Sequence, residues 1–398
     1  MFHRIILIVL DSVGIGALPD AADFGDENVH TLGHIARSQG GLILPSLESL
    51  GLGCIESLCG VSCPLEPRGC YGKLAEISRG KDTTSGHWEM AGCPVFIAFP
   101  VYPKGFPPDI VAAFEQLTGY KMLGNQVASG TEIIAEFGEV HMRTGQPIVY
   151  TSADSVLQIA AHEETFGLDE LYRICKITRK EICIGDHQVG RIIARPFIGT
   201  PGNFVRTPNR HDYSIFPPAP TVLDLLKKQE FSVLGVGKIG DIFAQRGLTQ
   251  SVSTQSNHDG MQRLSALMKT EIQQGLIMAN LVEFDSQYGH RRNPAGYKAA
   301  LEEFDQDLAV LIRQLDSNDL LIITADHGCD PTATGSDHTR EYVPLIVYAE
   351  GLESHNLGVR STFADIGATI AENFLPESDL PYGTSFLQQL VKDKSGNF

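Results

Sequence analysis

Short runs of residues that are apolar on both faces alternate with stretches of helical periodicity through much of the chain. The runs are Ile5–Leu10, Phe231–Leu234, Ala279–Phe284, Leu320–Thr324 and Leu345–Tyr348. Their length and lack of polar alternation predict strands buried on both sides of a sheet. Helices are predicted over Asp259–Gln274, Pro294–Leu315 and Thr362–Phe374. Pro294 suits a first helical turn, and Thr362 with Asp365 has the spacing of a variant capping box. Doubly apolar strands separated by such helices predict an α/β fold whose parallel-sheet core is covered by helices on both faces.

The pattern weakens between two groups of prolines, Pro100, Pro103, Pro107 and Pro108 on one side and Pro217, Pro218 and Pro220 on the other. Stiff segments that continue neither a helix nor a central strand are typical of domain connections. An inserted small α+β cap domain is therefore expected over 101–216, leaving a discontinuous core of 1–100 and 217–398. Within the insert, a helix is predicted near Asp109–Leu117 and strand-like pieces at Gln146–Thr151 and Arg191–Ile198. A chain of 398 residues is long enough for such a division.

Charge narrows the choice of partners. With 31 Lys+Arg against 48 Asp+Glu, the net charge is −17, which argues against duplex nucleic acid or an anionic membrane, since both need a basic face. Asp11 ends the first apolar run before it reaches the length of a signal segment or a membrane span, and a soluble cytoplasmic protein with no obligate protein partner is expected. Eight cysteines without a CxxC pair do not resemble the framework of a secreted scaffold. Cys54, Cys59, Cys63 and Cys70 cluster without zinc-knuckle spacing and are expected to be free thiols in a loop.

Three apolar runs end in aspartate: IILIVLD at Asp11, NLVEFD at Asp285 and LLIITAD at Asp326. The carboxyl ends of parallel strands share one edge of the sheet, which is where open α/β sheets bind ligands. His290, His327 and His338 follow closely in sequence. Carboxylates crowded at one edge repel one another, and a pair of divalent cations relieves the conflict. Mixed Asp/His ligation suits Mn²⁺ or Zn²⁺, with the oxygen-rich set tilting toward Mn²⁺. Two such ions can clamp a phosphate. The polar turn KDTTSGHWE could present a hydroxyl nucleophile beside them, although TTSGH alone also reads as a helix cap.

In the insert, Ser152, Asp154, Arg191, Arg206 and Arg210 concentrate polar and guanidinium groups suited to a phosphate. Gly235, Gly237 and Gly240 complete the spacing of a dinucleotide fingerprint, yet the long helix and the acid-ended strand it requires do not follow. Lys238 is instead a candidate phosphate contact.

Taken together, DSVGIGALPDA, KDTTSGHWEM, TSADSVLQIAAHE, GRIIARPF, NRHDY, GVGKIGDIF, FDSQYGHRRNPAGY and TADHGCDPTATGSDHTREYVPLIVY resemble the bacterial phosphopentomutases of the alkaline phosphatase superfamily across essentially the whole chain. The resemblance implies an alkaline phosphatase-like sheet core with a mobile cap, two Mn²⁺ ions and a phosphorylated threonine, Thr83. It assigns Asp285, His290 and His338 to one ion, and Asp11, Asp326 and His327 to the other. Asp154, Arg191 and Lys238 are implied to contact the sugar phosphate, with Ser152, Arg206, Arg210 and His211 as further candidates. The implied reaction interconverts ribose 1-phosphate and ribose 5-phosphate, and the 2-deoxy sugars, after priming by a sugar bisphosphate such as glucose 1,6-bisphosphate. The related phosphoglycerate mutases carry a turn resembling NSEVGH with serine, where this chain has DTTSGH. A hydrolase using the same site, a dinucleotide-binding oxidoreductase and a non-catalytic binding protein are the other readings.

Overall fold

The structure is a computed structural model that describes residues 1–391 apart from Ala153, Asp154, Glu271, Gln273 and Asp379. Among these residues the strands are, in chain order, β1 (Arg4–Leu10), β2 (Cys70–Leu74), β3 (Leu123–Val127), β4 (Ile148–Thr151), β5 (Val156–His162), β6 (Arg191–Thr200), β7 (Asn203–Arg206), β8 (His211–Ser214), β9 (Ser232–Val236), β10 (Gln250–Val252), β11 (Gly275–Leu281), β12 (Asp319–Thr324), β13 (Val343–Tyr348) and β14 (Asn356–Arg360). The chain forms two compact units, one of residues 1–97 with 217–398 and one of residues 98–216.

The larger unit is built on a sheet of order β10-β9-β11-β1-β12-β13-β2-β14. From β10 to β12 all neighbours are parallel, while β13 runs antiparallel to both β12 and β2. Every residue of β1, β11 and β12 is buried, so both faces of the central sheet are covered. The apolar runs thus form strands because only a doubly covered sheet hides both of their faces. Register brings three strand ends together: Leu10 pairs with Leu281, and Val9 with Thr324. Asp11, Asp326 and the turn after β11 consequently leave one edge side by side.

Some boundaries differ from the sequence pattern. The run expected at 279–284 starts earlier, at Gly275, and the strand stops at Leu281. Phe284 belongs instead to the tight helical turn Phe284–Gly289, where its ring stacks on Tyr297 and meets Phe304 edge-on. Apolarity there serves packing below the sheet edge rather than strand extension. The expected capping box of the last long helix does not form. That helix spans Ala364–Phe374 without a side-chain cap from its N-cap residue. The Asp365 carboxylate is engaged by Arg360 and by the Thr384 amide, and the Thr362 hydroxyl donates to Glu89. Cys54 and Cys63 form a disulfide, contrary to the expectation of free thiols, whereas Cys59 and Cys70 are free.

The smaller unit is α+β. Its sheet has the order β3-β4-β5-β6-β7, with β8 also paired to β6. Helices Pro108–Thr118 and Leu168–Ile177 contribute Phe114 and Ile174 to a core with Ile159 and Ile192 on one face, and Gly130–Thr144 brings Ile133 against Ile148, Tyr150 and Phe197 on the other.

Candidate metal centre and nucleophile

Asp11 follows β1 directly and is fully buried, as is Asp326 just beyond β12. Asp285 lies in the helical turn after β11 and is also buried. Their donor atoms sort into overlapping groups. Asp11, Asp326 and His327 offer atoms within 4.8 Å of one another, and so do Asp285, His327 and His338. His290 Nε2 stands 3.3 Å from one Asp285 oxygen, and His338 Nε2 3.4 Å from the other.

The hydrogen-bonding of the imidazoles fits them for a cation. His327 Nδ1 lies 3.0 Å from the Gly328 carbonyl and His290 Nδ1 2.6 Å from the Ser336 carbonyl. A carbonyl accepts only, so each Nδ1 carries a proton, and Nε2 can turn its lone pair toward the carboxylates. His327 Nε2 faces Asp11 at 3.5 Å and Asp326 at 3.4 Å. Among the described residues, Asp11 Oδ1, Asp285 Oδ1 and Asp326 Oδ2 are buried without a hydrogen-bond partner. Buried carboxylate oxygens are costly when unpaired, and three of them converging with imidazole nitrogens fit divalent cations.

The electrostatics show the same need. Burial pushes the Asp11 carboxyl well above its ordinary range, and the charges of Asp326 and Asp285 push it further while Lys238 opposes them. Burial also disfavours the charged forms of Asp285 and Asp326, but neighbouring imidazoles outweigh it and hold both below the usual range. At His290 burial is overcome by hydrogen bonding to Asp285, which pushes the imidazole up to about 12. The upward shift at His290 reflects the negative charge of Asp285, whereas burial holds the His327 imidazole below its ordinary value.

The TTSGH turn is both a cap and a site. Asp82 caps helix Thr83–Met90, accepting from the Thr84 and Ser85 amides. Thr83 is the first helical residue, and its Oγ1 lies 3.3 Å from His327 Nε2. The hydroxyl thus sits beside the carboxylate cluster and at a helix N-terminus, where an anion is favoured.

Comparison with known proteins resolves what this site belongs to. The chain matches the metalloenzyme superfamily over residues 3–378. It is 57% identical over 391 residues to a phosphopentomutase of Caldanaerobacter subterraneus subsp. tengcongensis, covering 98% of each chain. It is 55% identical to one of Desulfitobacterium hafniense, covering 98% of this chain and 100% of that one. The chain belongs to the phosphopentomutase family. It is accordingly a metal-dependent mutase, an isomerase. A solved structure of a Pyrococcus horikoshii protein shares the fold, with a TM-score of 0.51 at 12% identity over 96% of this chain and 99% of that one.

The other residues singled out in this phosphopentomutase family member divide between the two units. Lys238 is half-buried, two residues beyond β9, at the start of the short helix Ile239–Ile242. The glycine spacing around it serves packing. A Cβ on Gly237, whose φ is 78°, would come within 2.4 Å of the Asn280 carbonyl, and no long helix follows as a dinucleotide site requires. In the smaller unit, Arg210 grips Asp212 through two hydrogen bonds, and Arg191 Nη1 is 3.7 Å from the same carboxylate. Arg206 ends β7, His211 packs its ring on Tyr213, and Ser152 follows β4. Asp154 lies outside the described residues.

Sequence reasoning missed several residues of the site. Cys329 forms a donor group with Asp285 and His290, and it stood in plain view in ADHGCD. Ser12, at φ 73°, donates its amide to Asp326, and its hydroxyl is 2.9 Å from that of Tyr297. His87 and Asn280 are fully buried between Thr83, Asp11 and Asp326. No helix among the described residues is long and apolar enough to cross a membrane.

Proposed function

We propose that the enzyme interconverts α-D-ribose 1-phosphate and D-ribose 5-phosphate, and their 2-deoxyribose equivalents, in cytoplasmic nucleoside salvage. Thr83 carries the phosphoryl group between them. The observation that supports this most is the Thr83 hydroxyl at a helix N-terminus, 3.3 Å from His327 and beside buried carboxylate oxygens without hydrogen-bond partners among the described residues. Asp285, His290 and His338 would hold one Mn²⁺ and Asp11, Asp326 and His327 a second. When bound, such ions supply Lewis-acid neutralisation of charge on a transferring phosphoryl group.

The free hydroxyl of the bound monophosphate attacks phosphorus on phosphothreonine, the bond from phosphorus to Thr83 Oγ1 breaks, and the proton lost by the attacking hydroxyl is balanced by one gained at Thr83 Oγ1, which returns to a hydroxyl. The product is the 1,5-bisphosphate. It turns over in the site and returns its other phosphoryl group to Thr83, leaving the isomeric monophosphate. Loose phosphoryl transfer makes in-line positioning and charge stabilisation the main demands on the protein. The helix start at Thr83 serves both, fixing the oxygen beside His327 at the positive end of the helix dipole.

Residues 1–100 and 217–398 form the catalytic core in this reading, with Lys238 as a candidate phosphate contact, and the insert 101–216 is a substrate-recognition domain whose candidates are Ser152, Asp154, Arg191, Arg206, Arg210 and His211. A sugar bisphosphate such as glucose 1,6-bisphosphate primes bare Thr83. Phosphorus NMR of ribose 1-phosphate with the protein, Mn²⁺ and a trace of glucose 1,6-bisphosphate tests the reading. Ribose 5-phosphate is the expected product, and inorganic phosphate alone would make the protein a hydrolase.

A further inference from the structure

Helix Thr83–Met90 places the His87 ring four residues from Thr83, on the same side of the helix and wholly buried. His87 Nδ1 is 2.8 Å from the Thr83 carbonyl oxygen and 3.2 Å from Asp326 Oδ2, while Nε2 is 3.3 Å from Asn280 Nδ2. The same Asn280 Nδ2 donates to Asp11 Oδ2 at 2.9 Å. These contacts determine the protons. The Asp11 carboxylate accepts, so it must face the amide nitrogen of Asn280 rather than its oxygen. That nitrogen is also the atom facing His87, so His87 Nε2 must accept. The Thr83 carbonyl accepts too, so His87 Nδ1 must donate. Each proton in this chain is thereby placed: Asn280 Nδ2 donates to both Asp11 and His87, and His87 Nδ1 donates to the backbone of Thr83.

We infer that His87 and Asn280 are positioning residues for phosphoryl transfer: they lock the first turn of the helix so that Thr83 Oγ1 is held in register with Asp11 and Asp326. Neither touches the reacting atoms. His87 acts on the Thr83 backbone, and Asn280 keeps His87 in the tautomer that can do so while fixing one oxygen of Asp11. Burial of both side chains keeps water from competing for these hydrogen bonds. Asn280 sits inside β11, and its own Oδ1 is buried without a partner among the described residues, an arrangement that sacrifices one hydrogen bond to keep the amide nitrogen on Asp11 and His87.

This inference rests on Thr83 as the nucleophile, and the test separates the two. The readouts are the rate of phosphothreonine formation from glucose 1,6-bisphosphate, followed by protein mass, and kcat and KM for ribose 1-phosphate. Thr83→Ala tests the nucleophile alone, and mutase activity in it would defeat that reading. His87→Phe keeps a ring but removes the polar contacts to Thr83, Asp326 and Asn280. Misplacement of a reacting group by about 1 Å costs on the order of 100-fold, so transfer and kcat should fall on that order with KM nearly unchanged. His87→Asn places a donor where Nδ1–H lies and should recover most of the loss, which a purely space-filling role for His87 would not permit. Asn280→Leu should slow transfer while leaving the His87 contact to Thr83 possible. A folded His87→Phe protein with the native transfer rate, a change confined to KM, or a His87→Asn protein as slow as His87→Phe would overturn the inference. Should His87→Phe fail to fold, the decision falls to Asn280→Leu and His87→Asn: unimpaired transfer in Asn280→Leu, or near-total loss in His87→Asn, overturns it.

Discussion

Replacing Glu89 by glutamine exchanges one carboxylate oxygen for an NH₂ group and tests how the helix that begins at the proposed nucleophile is anchored. Glu89 is fully buried near the end of the helix that begins at Thr83. One carboxylate oxygen accepts from the Ile77 amide at 3.0 Å, the Thr362 hydroxyl at 2.7 Å and the Phe363 amide at 3.0 Å. The other accepts from the Ser78 amide at 2.7 Å and the Ser78 hydroxyl at 2.5 Å. Glutamine has one acceptor oxygen. With its NH₂ toward Ser78, the Ser78 amide loses its acceptor, and with its NH₂ toward Thr362, the Phe363 amide does. The hydroxyls can rotate to accept, but the amides cannot. A stranded buried N–H costs about 1–3 kcal/mol, and the surviving bonds lose their charge assistance, so a loss of about 2–4 kcal/mol is expected. Urea unfolding at 25 °C can be followed by the single tryptophan, Trp88, which adjoins Glu89 on this helix and donates to the Ile242 carbonyl. An unfolding free energy within about 0.5 kcal/mol of the native protein, the range of ordinary surface substitutions, would refute this account of Glu89.

Asp326→Asn removes one negative charge from the cluster and should weaken Mn²⁺ binding in calorimetry; unchanged affinity would speak against the ligand assignment. Burial pushes the Glu341 carboxyl up from 4.5 to about 7, despite donation from Thr31, Thr339 and Gly16. Its folded pKa lies above the unfolded one, so no penalty applies below 4.5, and stability falls as pH rises through 7. Measured against Glu341→Gln, the wild type should lose on the order of 3 kcal/mol between those limits, and a pH-independent difference would contradict this. Thiol titration in denaturant should find the six free cysteines without reductant and eight with it; eight in both cases would exclude the Cys54–Cys63 bond.

The parts of the molecule written in the sequence are those with a repeated signal. β1, β9, β12 and β13 follow from apolar runs because burial on both faces leaves no polar alternation to misread. The three aspartates follow from their position after such runs. The strand ending at Leu281 is offset because Phe284 continues the apolar pattern while packing in a different element, against Tyr297 and Phe304. Asn280 left no trace, since it is a single polar residue inside an apolar strand and its partners Asp11 and His87 are distant in sequence; His87 and Cys329 stood within the motifs KDTTSGHWE and ADHGCD, but nothing in their spacing marks them apart from their neighbours. Disulfide pairing is likewise set by distance in the folded chain, where Cys54 and Cys63 have Cα atoms 4.5 Å apart, rather than by cysteine spacing. Thr362 and Asp365 had a capping spacing, yet the Thr362 hydroxyl accepts from the Ala364 amide while donating to Glu89, and the Asp365 carboxylate is taken by Arg360, so the reciprocal pair of a capping box does not form.

The central claim is that Thr83 carries the phosphoryl group. Incubating the metal-loaded enzyme with glucose 1,6-bisphosphate and mapping phosphate by peptide mass spectrometry tests it most directly. A single phosphoryl group on Thr83, lost when ribose 1-phosphate is added and absent from Thr83→Ala, is the expected result. Phosphate on Thr84, on Ser85 or on no residue, in an enzyme that still interconverts the pentose phosphates, would contradict it.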